Sequence, residues 1–172
     1  MGKVRPGSPY EKGRTHTPQE VVELQYSEGS IGRVFALRID DGEDLLESIT
    51  NFVVDKKISS SIALFLGALR DSKAVMGPEE TTIPPVPHWE EYQSAWETFG
   101  IATIYPSSSG PKLHIHSSLG RGRDSMTGCL REKARIYLVV EAVLLELIGL
   151  KATRDYDPSF GFSLLSMDKT LR

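Results

Sequence analysis

Apolar positions recur at helical spacing over residues 43–57 and follow strand-like patterns almost everywhere else. In that first stretch Leu45, Leu46, Ile49, Phe52 and Val53 share one side of a 3.6-residue repeat. Asp40, Asp41 and Gly42 offer a cap, Glu43 and Asp44 place acids at the N-terminal end, and Lys56-Lys57 place cations in the last turn. An amphipathic helix lying on a core is predicted. VVELQY and GRVFALRI flank SEGSI and read as paired strands, against a helix-start pattern at Thr17-Pro18-Gln19-Glu20. ISSSIALFLGALRDSKAVMG is β-rich, with Gly67 marking a bend or a close backbone approach. GIATIYP, KLHIHSSL and TGCL read as extended, with GRGRDSM as a turn. ARIYLVVEAVLLEL fits helix or strand by period, and its Ile, Tyr and Val favour strand at least to Val143. TRDYDPSFGFSLLSM closes with a turn and a last strand. One helix among many strands predicts a single α+β (α/β) domain with a largely antiparallel sheet. No internal repeat is present.

Two stretches fall outside this pattern. Residues 1–16 carry Lys3, Arg5, Lys12 and Arg14 against Glu11, broken by Pro6-Gly7 and Ser8-Pro9. They predict a surface tail or a basic arm that touches nucleic acid. Residues 77–98 hold four of the ten prolines and then HWEEYQSAWETF, and predict a long loop that covers something. The chain thus divides into an arm and lead-in over 1–31 and a domain over 32–172.

Composition narrows the setting. The 172 residues suffice for one domain with a proper core. A net charge of −3 gives no overall footprint for binding duplex phosphates. One cysteine permits no internal disulfide, the N-terminus lacks a signal-like apolar core, and the run 136–150 is too short and too acidic to span a bilayer. A cytoplasmic protein without a membrane partner is expected.

The candidate chemistry lies in PKLHIHSSLGRGRDSMTGCLR, residues 111–131. In a strand His114 and His116 point to one face, and Cys129 returns on the next strand. Two imidazoles and a thiolate suit zinc and leave a fourth position open. His88 in the proline-rich loop is a further ligand or a cover. The same pattern also occurs in ordinary strands, where imidazoles pack and hydrogen-bond and a lone cysteine is a small buried apolar residue. Spacing alone leaves both readings open. Glu141 interrupts LVVEAVLL, where a charge is costly unless paired. It lines a polar site, with Arg154 as another lining residue, or pairs with Arg154 or Arg135, or faces solvent on an edge strand. Arg121-Gly122-Arg123 is followed by Asp124, not by the proline of a minor-groove AT-hook, and reads as a glycine turn. No Walker loop, dinucleotide fingerprint, nucleophile elbow or nucleophilic triad is present.

The order GEDLLESITNFVVDKKISSSIALFLGALRDSKAV, GIATI, PKLHIHSSLGR, TGCL, VVEAVLLEL, TRDYDPSFGFSLL resembles the plants-and-prokaryotes-conserved (PPC) domain, from about Gly32 to Met167. Gly42-Glu43-Asp44, Leu113 through His116, and Arg154 through Asp157 with Gly161 carry the likeness. The resemblance implies an antiparallel-rich domain with one main helix, a homotrimer, and a metal on two histidines and a third in a Gly-Gly-His segment. That segment reads Thr127-Gly128-Cys129 here, so the resemblance puts Cys129 in the third place. The family's DNA-binding label comes mainly from plant members with separate AT-hooks, and this chain has none. Two functions follow. One is a trimeric regulatory or interaction module, DNA-associated, with a structural or sensing metal. The other is a metal-dependent enzyme or small-molecule binder using the open metal position.

Overall fold

The computed structural model describes residues 24–167. Strand β1 (Ser30–Asp40) leads into helix α1 (Leu45–Asp55), the one helix among the described residues. There follow β2 (Ser60–Pro78), β3 (Pro87–Tyr92), β4 (Trp96–Tyr105), β5 (Lys112–Arg121), β6 (Asp124–Ile148), β7 (Ala152–Asp157) and β8 (Phe162–Met167). Strands dominate, so the α+β label fits only loosely.

The helix is held where its sequence asks, but by a different cap. Asp44 takes the N-cap, its Oδ1 accepting from the Leu46 and Glu47 amides at 2.9 and 3.2 Å. Its Oδ2 accepts from the Ala134 amide at 2.8 Å, so one carboxylate both starts the helix and ties it to β6. Gly42 N donates to Ile136 O at 3.1 Å and Ile136 N to Glu43 O at 2.9 Å. Gly42-Glu43-Asp44 is therefore a splice between helix and sheet. Leu45, Ile49 and Val53 are fully buried on one helical face.

All strand pairs are antiparallel. The large sheet has the order β1-β6-β5-β4-β2-β3, and a further pairing of β6 with β2 closes it on itself. β7 and β8 form a separate hairpin. The interior is filled by Phe65 and Leu69 of β2, Ile104 of β4, Ile115 and Leu119 of β5, and Ile136, Val140 and Leu144 of β6, under the apolar side of α1. Burying each such side chain contributes about 1.5–3 kcal/mol.

Long strands decide this architecture. β6 has 25 residues and pairs with β5, β2 and β1 along its course. Its pairing with β2 jumps from Gly67↔Val140 to Ala68↔Tyr137, which leaves Leu138 and Val139 as a bulge. Leu138 has φ 62. Gly67 faces that bulge: a Cβ there would strike Val139 O and approach Val140 Cα to 2.8 Å. Its role as a close backbone approach is what the sequence suggests.

Two expectations change. The described part of VVELQY, residues 24–26, is irregular chain preceding β1, and no strand pairing is present there among the described residues. Residues 77–98 are not one loop: β3 pairs with the end of β2, with Ser72↔Tyr92 and Val75↔Trp89, and β4 begins at Trp96. The prolines cluster in the turn between β2 and β3 and at the start of β3, where ladder donors are dispensable. Lys73 stacks over Trp89 at 4.6 Å, which covers the outer side of that hairpin.

Candidate metal centre

β5 and β6 are joined by a tight turn, with Arg121 opposite Asp124. Gly122, at φ +63, takes the first central position. The return strand brings Cys129 opposite His116, and the i, i+2 relation puts His114 on the same face. The Nε2 atoms of His114 and His116 lie 3.1 Å apart, and the rings meet edge-to-face at 4.9 Å. Ligand atoms of His114, His116 and Cys129 all fall within 4.8 Å of one another. Two nitrogens on a tetrahedral zinc lie about 3.3 Å apart at the usual bond length. The imidazole pair already has nearly that separation, and the donor set is one that zinc accepts, so the residues fit a metal.

Electrostatics favour the ligand form of the imidazoles. Burial, then the nearby Arg154, His116 and Arg131, push His114 down to about 4. Burial, then Arg131, lower His116 as well. Both rings are neutral at pH 7 and have lone pairs to give. Burial pushes the Cys129 thiol up, while Arg131, a hydrogen bond from the Ile115 backbone and Arg154 pull the other way. A bound metal stabilises the thiolate directly.

Beyond the pair His116–Cys129 the two strands part. Between them opens a cavity of about 230 Å³, bordered by α1 and the β7–β8 hairpin. Leu46 and Thr50 of α1, His114, Cys129, and the cations Lys112, Arg131 and Arg154 line it. Arg154 is 9% exposed. Its Nη1 donates to Ser163 O at 3.3 Å, and its Nε has no partner among the described residues. Its backbone amide donates to Pro106 O at 2.9 Å, which pins the hairpin against the end of β4.

The model of the Plants and Prokaryotes Conserved (PCC) domain, the PPC domain, matches residues 26–148. The chain belongs to this family. No curated protein matches it. Among solved structures, a metal-containing protein from Archaeoglobus fulgidus is similar at 26% identity and TM-score 0.73, over 83% of this chain and 99% of that one. A PPC protein from Pyrococcus horikoshii is similar at 26% identity and TM-score 0.74, over 85% and 99%. A "putative DNA binding protein" from Bacteroides thetaiotaomicron, at 18% identity and TM-score 0.68 over 81% and 97%, shares the fold.

Within this PPC domain the other candidates fall elsewhere. His88 stands on β3, its ring nitrogens 2.8 Å from Glu79 and 3.1 Å from Glu90, and does not belong to the three-residue cluster. Those two carboxylates raise its pKa. Glu141 is exposed and stands in register with Arg38 of β1 and Leu66 of β2. It neither lines the cavity nor lies on an edge strand, since β6 there has a neighbour on each side. Arg154 lines the cavity, while Arg135 stands opposite Asp44 in a backbone β-bridge at the helix splice. Lys3, Arg5, Lys12 and Arg14 lie outside the described residues. Arg131 and Lys112 were not singled out in the sequence. The only signal for Arg131 was its place two residues after Cys129 on a strand. Among the described residues no helix is long and apolar enough to cross a membrane.

Proposed function

We propose that this PPC domain is a self-associating metal-binding protein, holding one zinc-like ion on His114, His116 and Cys129. The convergence of these three donors carries the reading. The ion would supply Lewis acidity and an open position toward the cavity. His114 and Cys129 both border that cavity, which supports a ligand-binding or sensing role over a closed structural site.

Self-association as a homotrimer completes the reading. Val143, Leu64, Ile101 and His116 form one row across β6, β2, β4 and β5, followed by Cys129 on the returning β6. Leu64, Leu66, Phe99, Ile101 and Val143 are 43–67% exposed. Contiguous apolar surface of this kind marks an interaction face. The metal ligands lie at its border, so assembly and metal site are neighbours. The number three comes from the family resemblance.

Metal analysis of purified protein tests the centre. One ion per chain is expected, with near-complete loss in His114→Ala and Cys129→Ser. Full zinc content after both His114→Ala and His116→Ala rejects the site. Sedimentation showing a monomer at micromolar concentration rejects the trimer. A DNA-binding role rests on the arm Lys3, Arg5, Lys12 and Arg14. Four phosphate contacts give a log–log salt slope of roughly −3.6, abolished by deleting residues 1–16.

A further inference from the structure

Among the described residues, Arg154 is a nearly buried cation with no ion-pair partner. A guanidinium has five N–H donors. Here one bond reaches Ser163 O, and Nε, buried, meets no acceptor among the described residues. The neighbouring acids are engaged elsewhere: Asp155 accepts from the Ser108 amide at 2.9 Å and Asp157 from the Ser159 amide at 2.8 Å. A cation taken out of water without a counter-charge is strongly disfavoured. Nor does the rest of the cavity supply that charge. Its described lining holds Lys112, Arg131 and Arg154, and no carboxylate. A purely structural arginine would instead saturate its donors on carbonyls or an acid.

We propose that this cavity recognises the oxyanion of a small carboxylate- or phosphate-bearing molecule, with Arg154 as its buried anchor and Arg131 and Lys112 at its mouth. An oxyanion satisfies the orphaned Nε–H, and a planar guanidinium offers it two parallel donors. The volume of about 230 Å³ lies below the range of drug-sized pockets, so the ligand is small. The assignment deepens the metal reading and rests on it for the ligand's second anchor, because His114 and Cys129 border the same cavity. The contact to Arg154 needs no metal.

The test titrates inorganic phosphate and, separately, succinate into the full chain in Tris chloride at constant ionic strength, metal-free and zinc-loaded. Saturable binding of at least one is expected, and which one binds separates phosphate from carboxylate ligands. Arg154→Met should raise the dissociation constant at least tenfold, Arg154→Lys should recover part of the loss, and Arg131→Gln should weaken binding several-fold. The Arg154 Nε–H resonance of the wild-type protein should shift as anion is added, a readout that survives if Arg154→Met does not fold. The wild-type protein tells the two sites apart: anion binding without zinc uptake fails the metal site alone, and zinc uptake without anion binding fails the anion site alone. Absence of binding by both anions, equal binding by Arg154→Met, an unmoved Nε–H resonance, or saturation by duplex DNA alone would each overturn the proposal.

Discussion

Arg33 and Arg154 are both cations on strands of one domain, and their surroundings are opposite. Arg33 on β1 faces Glu146 on β6, with Nε and Nη2 at 2.7 and 2.8 Å from the two carboxylate oxygens. Its third contact is Nη2 to Lys56 O at 3.1 Å, at the end of α1. This is a fork-to-fork pair in which Nε and Nη2 both find acceptors. Arg154 is more buried, holds one long bond, and has no acid. The first arginine closes the β1–β6 edge over the helix end. The second stands beside a histidine pair and a cysteine, in a cleft whose described charges are all positive. A group that serves the fold is satisfied within it, whereas an unsatisfied buried charge next to ligand-type donors points outside the chain.

The sharpest break in this contrast is steric. Gly128 sits beside Cys129, and a Cβ there would come within 2.5 Å of Met76 Sδ and 2.6 Å of Val75 O. The backbone oxygen cannot swing away, so Gly128→Ala should prise β6 from β2. A loss of about 1–3 kcal/mol in stability is expected from overpacking, with weaker zinc affinity although no ligand is removed. Thermal melts and a competitive zinc titration measure both, and unchanged zinc affinity would show that the strand pairing does not position Cys129.

Substituting the two arginines should then give opposite signs. Arg154→Met removes an uncompensated buried charge and should stabilise the metal-free, anion-free protein, on the order of 1 kcal/mol. Arg33→Met leaves Glu146 unanswered and should lower the melting temperature. Parallel denaturant melts decide the matter, and destabilisation by both would mean that Arg154 serves the fold.

Acid titration separates the regions next. Hydrogen bonds from the Arg33 side chain and backbone, with its charge, hold Glu146 down to about 2 from 4.5. A folded value below the unfolded one means stability present above about pH 4.5 and lost as pH falls toward 2. Arg33→Met should flatten this limb, while Arg154→Met should leave it intact. Melting temperature followed between pH 2 and 5 tests it.

The smallest effect concerns His88. Its partners are Glu79 and Glu90 on an exposed hairpin, so His88→Ala should leave the melting temperature nearly unchanged and metal content unaltered. Loss of metal in that variant would bring β3 into the site.

Much of this was legible in the chain. Period-3.6 spacing over Leu45, Ile49 and Val53 marked α1, and the i, i+2 spacing of His114 and His116 set a shared face, because both are local consequences of backbone geometry. The turn at Gly122 and the return of Cys129 were readable for the same reason. The middle of β6 was harder to read. LVVEAVLL looks apolar throughout, yet Val140, Ala142 and Leu144 face the core while Glu141 and Val143 face outward. Its alternation was hidden because the outward face is apolar too, and Glu141 therefore seemed stranded.

What the sequence by itself determined is the helix, most of the strands, the family and a candidate set of donors, since residue identity, short-range period and motif order suffice for each. Only the tertiary structure decided that β2 and β6 close the sheet, that HWEEY is a strand and not a lid, and that β5 and β6 part just beyond His116. Those follow from pairings between segments dozens of residues apart, which no local pattern encodes. The isolation of Arg154 belongs with them. Whether an arginine has a counter-charge depends on every element packed around it, and here α1, β5, β6, β7 and β8 meet without bringing a described carboxylate to its side.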